Sequence, residues 1–202
     1  MHTLLMATSN VHKLEEYRAI FASLPFRLLS LNDIQLDLDV EETGTTFAEN
    51  AVLKARAWAN ASGMLSLSDD SGLEIDALGG APGVLSARFA GRETSYEERF
   101  RLILEKMAGL PAEKRTARFC CAIAIAQPSG DVRVVEDSLE GEIATSPRGT
   151  AGFGYDPIFL VPELGKTFAE LPPDVKNRIS HRGRAARKAR ALLEALQGWG
   201  PA

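Results

Sequence analysis

Apolar positions along the chain alternate between short runs typical of strands and spaced stripes typical of helices. The run Thr3–Ala7 is almost wholly apolar, which predicts a short buried strand. Beyond it, apolar residues recur at helical spacing, so we expect a helix that Asn10 caps and Pro25 stops. The core-facing positions of this helix are Leu14, Tyr17, Phe21 and Leu24.

Three further helices carry signals at their N-termini. Thr46 and Glu49 have the spacing of a capping box, and Ser95 and Glu98 repeat it, so a helix is predicted after each pair. Ser180 opens the last helix. The apolar stripes are Phe47, Ala51, Ala55 and Trp58, then Tyr96, Phe100, Leu104 and Met107, and finally Ala185, Ala189, Leu192 and Leu196.

The remaining apolar segments predict strands. Pro128–Asp131 favours a hairpin between two of them, and Asp69–Gly83 is rich in turn residues. The element order predicts a mixed α/β fold whose sheet is too irregular for a pure doubly wound arrangement. We expect one domain over residues 1–202, because no long linker or repeat divides the chain. The predicted strands are Met64–Ser68, Thr116–Gln127, Val132–Ser138, Glu140–Ala144 and Pro157–Val161.

Composition narrows the class of protein. With 45% hydrophobic and 25% charged residues, the chain of 202 residues is globular rather than fibrous or disordered. A net charge of −4 argues against a nucleic-acid or membrane-surface protein. The adjacent Cys120 and Cys121 form neither a disulfide framework nor a zinc site. The apolar run Leu4–Ala7 is too short for a signal peptide, so we expect a cytoplasmic protein.

The charges are segregated along the chain. Six acidic residues and no basic ones lie between Leu28 and Leu53, whereas seven of the fifteen residues from Lys176 to Arg190 are basic. Carboxylates hold hard cations such as Mg²⁺, and basic clusters hold phosphates. The segregation therefore suits a protein that binds a Mg²⁺-polyphosphate, although solvated helix faces also collect charge.

Five motifs are candidates for chemistry, and the first two follow predicted strands. Thr8–Lys13 leads into a helix N-terminus, which favours an anion, although it lacks the P-loop pattern and capping by Asn10 is the simpler role. Asp69 and Asp70 are adjacent, and such like charges are costly unless a cation or hydrogen-bond donors neutralise them. We therefore expect a functional role for the two aspartates.

The other three motifs are less specific. Glu41 and Glu42 precede a helix on which Asn50 and Lys54 share one face. This face either lines a cleft beside the acidic loop or is an ordinary exposed helix surface. Gly149–Pro157 places two aromatic rings among three glycines. The rings either stack on a base or lie in the core beside a tight turn. Two cations, His181 and Arg182, begin the last helix, where they oppose its dipole, so they indicate ligand binding.

Together and in this order, the five blocks resemble the inosine/xanthosine triphosphate pyrophosphatase family, in its bacterial form. The resemblance runs from about Leu4 to Leu193, and Ser9 and His12 stand where members often carry glycine. Its most specific blocks are Phe47–Ala55, Asp69–Leu73, Gly79–Arg88, Gly152–Pro157 and Ser180–Arg182.

The resemblance implies an elongated mixed α/β sheet with flanking helices, two lobes around a central substrate cleft, and a homodimer. It implies Mg²⁺-dependent hydrolysis of non-standard purine nucleoside triphosphates (ITP, dITP, XTP) to the monophosphate and pyrophosphate. Glu41 and Asp70 would bind Mg²⁺, with Asp70 also the catalytic proton acceptor. The residues implied to contact substrate are Thr8, Ser9, Asn10, Val11, His12, Lys13, Ser71, Phe153, Gly154, Tyr155, Asp156, Lys176, His181 and Arg182.

Two other functions compete with this interpretation. A nucleotide pyrophosphatase of the septum-formation-inhibitor-like group would favour modified pyrimidines, but the Phe153 and Ser180–Arg182 blocks argue against it. A non-catalytic nucleotide- or RNA-binding module would need aromatic residues on a basic surface, whereas aromatic residues make up only 7% of this chain. We therefore expect no nucleic-acid partner and no membrane partner.

Overall fold

A computed structural model describes residues 2–195, and within them the predicted mixed α/β class is confirmed. The strands form one sheet in the order β2-β1-β3-β4-β5-β6-β7. Strand β1 is parallel to β2 and β3, and β6 is antiparallel to β5 and β7. The strands are β1 (His2–Met6), β2 (Phe26–Ser30), β3 (Ser66–Ile75), β4 (Thr116–Ala126), β5 (Val132–Ile143), β6 (Phe159–Val161) and β7 (Lys166–Thr167). The α-helices are α1 (Val11–Phe21), α2 (Phe47–Ser62), α3 (Tyr96–Lys106), α4 (Pro173–Ile179) and α5 (His181–Ala195).

The chain divides into two compact units. Of the described residues, unit 1 contains 2–70, 121–137 and 182–195, and unit 2 contains 71–120 and 138–181. The core of unit 1 packs Tyr17 and Phe21 of α1 against the alanine face of α5. The core of unit 2 packs α3 against an aromatic group formed by Phe119, Phe159 and Phe168. Each unit thus buries its own hydrophobic core.

The predicted caps at Asn10, Thr46 and Ser95 are confirmed, although Ser95 and Glu98 form no reciprocal capping box because the Glu98 carboxylate pairs with Arg101. Asn10 Oδ1 accepts hydrogen bonds from the backbone N–H groups of His12 (3.0 Å) and Lys13 (3.2 Å). Thr46 and Glu49 form the predicted capping box at the start of α2, and the Ser95 side chain accepts from Glu98 N. In α5, Ala185 and Ala189 are buried as expected, and Leu196 lies outside the described residues.

Three boundaries differ from the sequence prediction. The first helix ends at Phe21, so Leu24 is buried in the following turn and Pro25 is not the stop. The segment predicted as a loop after Ser68 continues as strand to Ile75, because the polar side chains of this stretch have buried partners in the fold. Val132–Ile143 is one strand rather than two.

The sequence prediction also missed several short elements. Strands β2 and β7 and helix α4 are too short to show a hydrophobic period. Strand β6 begins at Phe159 because Asp156–Ile158 forms a turn of 3₁₀ helix before it. Across residues 2–195, the structure has no helix that is both long and apolar enough to span a bilayer.

Candidate active site

The two adjacent aspartates lie on β3 immediately beyond the point where its neighbour β1 ends. Strand β1 stops at Met6, and Ala7 N donates to Leu67 O at 2.7 Å. Ser68 Oγ then donates to Ala7 O at 3.1 Å, which closes the pairing. Asp69 and Asp70 therefore follow the last contact with β1, and in unit 1 they are at the carboxyl end of a parallel strand pair, where ligands bind in many α/β proteins.

Asp69 is buried between two cations. Its Oδ2 lies 2.9 Å from Lys13 Nζ and 3.5 Å from Arg182 Nε, and the Asp69 side chain is 1% exposed. Burial alone would raise the pKa of Asp69, but the charges of Lys13 and Arg182 outweigh it and hold the pKa well below its usual range. Asp69 is therefore ionised at neutral pH and fixes the positions of both cations.

Glu16 is a second anion for Arg182. Its Oε2 accepts from Arg182 Nη1 at 2.7 Å, and the Arg182 side chain is 4% exposed. The sequence argument required a ligand to offset the cation at the start of α5. The structure provides Glu16 and Asp69 there instead, so the conflict with the helix dipole does not by itself require an anionic ligand.

Asp70 has a different electrostatic environment from its neighbour. Asn50 Nδ2 donates to Asp70 Oδ2 at 3.1 Å, and Lys54 Nζ lies 3.6 Å from Asp70 Oδ1. Burial raises the pKa of Asp70, and Lys54 and Lys13 only partly offset it. The two neighbouring carboxyl groups thus have pKa values moved in opposite directions, a pattern that separates a fixed anion from a proton acceptor.

The acidic loop before α2 is attached to the same group of residues. Gly44 N donates to Asn50 Oδ1 at 2.8 Å, and a Cβ at Gly44 would lie only 2.6 Å from that oxygen. Lys54 Nζ lies 2.6 Å from Glu42 Oε1, whereas Glu41 is exposed. Asn50 and Lys54 therefore face Asp70 and the loop rather than an exposed helix surface.

Unit 1 contains carboxylates of the type that Mg²⁺ prefers as ligands. Among residues 2–195 no three metal-ligating side chains cluster together. Mg²⁺ is commonly held by one or two carboxylates, with substrate phosphates and water completing its octahedron. The carboxylate of Asp70 and one from the Glu41–Glu42 loop match that donor set, and the penalty of burying the Asp70 charge is one that a bound cation would offset.

The predicted phosphate loop surrounds the N-terminus of α1. Thr8 Oγ1 accepts from Asn10 N at 3.2 Å, which shapes the turn before the helix. Val11 is 61% exposed and the His12 side chain is 60% exposed, so both lie at the surface. Of the loop's side chains, Lys13 is the one that reaches Asp69.

A second group of predicted site residues lies in unit 2. Asp156 Oδ2 accepts from Lys176 Nζ at 2.6 Å and from Phe153 N at 2.9 Å. Lys176 Nζ also lies 4.7 Å from the centre of the Phe153 ring. A Cβ at Gly152 would lie 2.0 Å from Asp156 Oδ2, so the turn requires glycine. The loop is thus fixed by a buried ion pair.

Three other predicted residues of unit 2 have different surroundings. His181 is buried and stacks on Phe119, with ring centres 4.6 Å apart. Ser71 follows Asp70 on β3 and is half-buried. Tyr155 is 3% exposed and belongs to the core of unit 2. Its aromatic ring therefore does not project from the loop.

Sequence reasoning missed Glu16, and it named Glu42 only as the neighbour of Glu41 in an acidic motif, without a role of its own. Glu16 lies one helical turn after Lys13, so the two share a face of α1, and that spacing was an available signal. Glu42 has no comparable signal, because only the folded loop distinguishes it from Glu41.

Comparison with known proteins places the chain in a family. Residues 4–192 match the model of the Ham1 family. A relative from Geobacter sulfurreducens named dITP/XTP pyrophosphatase is 50% identical over 199 residues, covering 98% of both chains. A relative of the same name from Exiguobacterium sibiricum is 49% identical over 195 residues, 96% of this chain and 98% of the relative. The solved structure of a HAM1 protein from Coxiella burnetii has a TM-score of 0.88 at 41% identity, covering 96% of this chain and all of that one. The resemblance drawn from the five sequence blocks is confirmed, and the chain belongs to the Ham1 family.

Proposed function

We propose that this protein hydrolyses non-standard purine nucleoside triphosphates, dITP, XTP and ITP, to the monophosphate and pyrophosphate. The observation that carries the proposal is the contrast between the surroundings of two adjacent aspartates. Asp69 lies between Lys13 and Arg182, whereas Asp70 faces Asn50 and Lys54. The names of the relatives supply the substrate class. As part of the same proposal, the enzyme is a cytoplasmic homodimer.

The reaction needs a positioned water and neutralised phosphate charge. The water oxygen attacks the α-phosphorus, the bond from that phosphorus to the bridging oxygen breaks, and pyrophosphate leaves. Asp70 accepts the proton of the water. Lys13, whose position Asp69 fixes, contributes positive charge for the phosphates at the N-terminus of α1.

Mg²⁺ is part of the proposal. Glu41 and Asp70 would hold it, with Glu42 beside them on Lys54. When bound, the ion supplies positive charge that offsets the developing charge on the phosphates.

The resemblance implies that Phe153, Asp156, Lys176, His181 and Arg182 contact the base and the phosphates, and for Arg182 we propose a contact with the base. Hypoxanthine and xanthine carry a 6-keto oxygen, which accepts a hydrogen bond, where adenine carries a donor amine. A buried donor at this position would face another donor with ATP, and such mismatches reject a substrate by up to about 10⁴–10⁵.

The direct test is pyrophosphate release with Mg²⁺ from a panel of nucleotides. We expect release from dITP, XTP and ITP at a kcat/KM far above that for ATP. Preference for a modified pyrimidine triphosphate would contradict the proposed substrate class. Binding of ITP without release of pyrophosphate would show a nucleotide-binding module rather than an enzyme.

Arg182 offers a test of base recognition that is separate from catalysis. If its guanidinium donates to the 6-keto oxygen, Arg182→Ala should lower kcat/KM for ITP by about 10- to 150-fold while affecting ATP far less. An unchanged ratio of kcat/KM for ITP to that for ATP would refute base readout by Arg182.

Two further variants support the Arg182 measurement. Truncating Arg182 leaves Glu16 and Asp69 without this partner. Arg182→Lys preserves the buried charge balance, because it keeps the positive charge and loses only the planar guanidinium. The matched control is Arg190→Ala on the same helix, because Arg190 contacts Glu194 and Ser23 at the surface and should leave both substrates unaffected.

A further inference from the structure

Tyr155 lies in the loop assigned to the base, yet its ring is turned into the core of unit 2. It packs edge-on against Tyr96, with ring centres 5.3 Å apart and planes at 86°. The Tyr155 hydroxyl donates to Ser86 O at 2.9 Å. Burial raises the pKa of Tyr155, so the hydroxyl stays protonated and remains a donor. Its polar group is thus used within the protein.

Ser86, which accepts this bond, is itself tied to the strand that carries the aspartates. Its Oγ donates to Gly83 O at 2.6 Å and accepts from Leu73 N at 2.9 Å. Leu73 lies on β3 two residues beyond Ser71. The 3₁₀ turn Gly83–Arg88 therefore connects β3 to the Tyr155 hydroxyl through consecutive hydrogen bonds.

On its other side, Tyr155 belongs to a turn with two glycines in the left-handed region. Gly152 has φ of 75° and Gly154 has φ of 63°, a conformation that costs glycine little. Across this turn, Asp156 Oδ2 accepts a hydrogen bond from the Phe153 backbone N–H. Tyr155, which lies between Phe153 and Asp156, links the same turn to Ser86. The orientation of Phe153 is thus set by two anchors in unit 2.

We propose that Tyr155 is a positioning residue, which holds Phe153 in the nucleotide-binding conformation through the hydrogen bond from its hydroxyl to Ser86 O. This inference rests on the proposed function, because it takes Phe153 as a contact of the base. Without the bond, the loop also adopts other conformations. The apparent affinity for the nucleotide then falls in proportion to the fraction of molecules whose loop is in the binding conformation. Chemistry at the phosphates is unaffected once the nucleotide is bound.

The test is Tyr155→Phe, which removes the hydroxyl and keeps the ring. Loss of one neutral buried hydrogen bond should raise KM for dITP and Kd for inosine monophosphate by about three- to tenfold, with kcat unchanged. The matched control is Tyr96→Phe, since the described chain offers the Tyr96 hydroxyl no hydrogen-bond partner although its ring touches Tyr155. Tyr96→Phe should leave KM, Kd and kcat at wild-type values.

The outcomes separate this inference from the proposed function. Wild-type protein that binds inosine monophosphate but releases no pyrophosphate contradicts the proposed function, and the Kd of Tyr155→Phe still tests the inference. Active wild-type protein with equal KM and Kd in Tyr155→Phe and Tyr96→Phe overturns the inference alone. A fall in kcat with KM and Kd unchanged would also overturn it, because a loss of correctly folded enzyme gives that result.

Discussion

Replacing Asp70 with asparagine should lower kcat for dITP by at least about 100-fold, because the amide can neither accept the proton of the attacking water nor supply the same charge to a metal. The side chain keeps its size, and its oxygen can still accept the hydrogen bond from Asn50. We therefore expect a folded protein, as judged by circular dichroism, with greatly reduced pyrophosphate release. A folded variant with wild-type kcat would contradict the role assigned to Asp70.

The same substitution should not lower thermal stability in metal-free buffer. The pKa of Asp70 is raised in the folded state, so its contribution to stability is present below the unfolded pKa and is lost as pH rises through the folded pKa. At pH 7 the ionised Asp70 opposes folding, and Asp70→Asn removes that cost. We expect a Tm equal to or above that of the wild type.

Asp69→Asn is the matched control, for which we expect a lower Tm. The pKa of Asp69 is lowered, so its stabilising contribution is present above the unfolded pKa and is lost as pH falls through the folded pKa. Removing its charge leaves Lys13 and Arg182 without this anion, which should cost about 3 kcal/mol in the free energy of unfolding, or roughly 6–12 °C in Tm. Equal Tm shifts for the two variants would contradict the opposite pKa shifts of Asp69 and Asp70.

Chelation of divalent cations should reduce pyrophosphate release to background, and Mg²⁺ should restore it better than Ca²⁺. Mg²⁺ takes a compact octahedral geometry suited to one or two carboxylates and phosphate oxygens, whereas Ca²⁺ prefers more ligands at longer distances. The Tm of the chelated protein serves as the control for folding. Vigorous hydrolysis in excess EDTA would refute the metal role of Glu41 and Asp70.

The two neighbouring glutamates allow a finer test of the metal site. If Glu41 is a ligand, Glu41→Gln should raise the Mg²⁺ concentration for half-maximal activity by at least about tenfold. Glu42 is engaged by Lys54, so Glu42→Gln should change that concentration less. A larger increase in Glu42→Gln than in Glu41→Gln would identify Glu42 as the ligand instead.

Signals between residues close in sequence predicted much of the fold, and the errors occurred where residues distant in sequence determine the structure. Caps such as Asn10 and Thr46 depend on side chains three residues apart or fewer, so sequence reading located the starts of α1 and α2. The extension of β3 through Asp69 and Asp70 was missed because a strand is recognised by apolar alternation. Those polar residues are held by side chains from distant parts of the sequence.

The site shows the same division between local and distant information. The family blocks indicated which residues to examine, among them Asp70, Lys176 and Arg182. They did not indicate the partners, because the pairing of Glu16 with Arg182 joins the two ends of the chain. The burial of Tyr155 was one of two outcomes left open by the sequence, and only the packed core of unit 2 distinguishes them.

The side-chain amide of Asn50 has a consequence for the chemical ageing of the protein. Its oxygen accepts from Gly44 and its nitrogen donates to Asp70, so both ends of one amide are in use. Deamidation would replace the donor with a carboxylate oxygen and set a second negative charge against Asp70. Because Asn50 is fully buried within α2, the fold shields from hydrolysis the amide whose loss would most directly disturb Asp70.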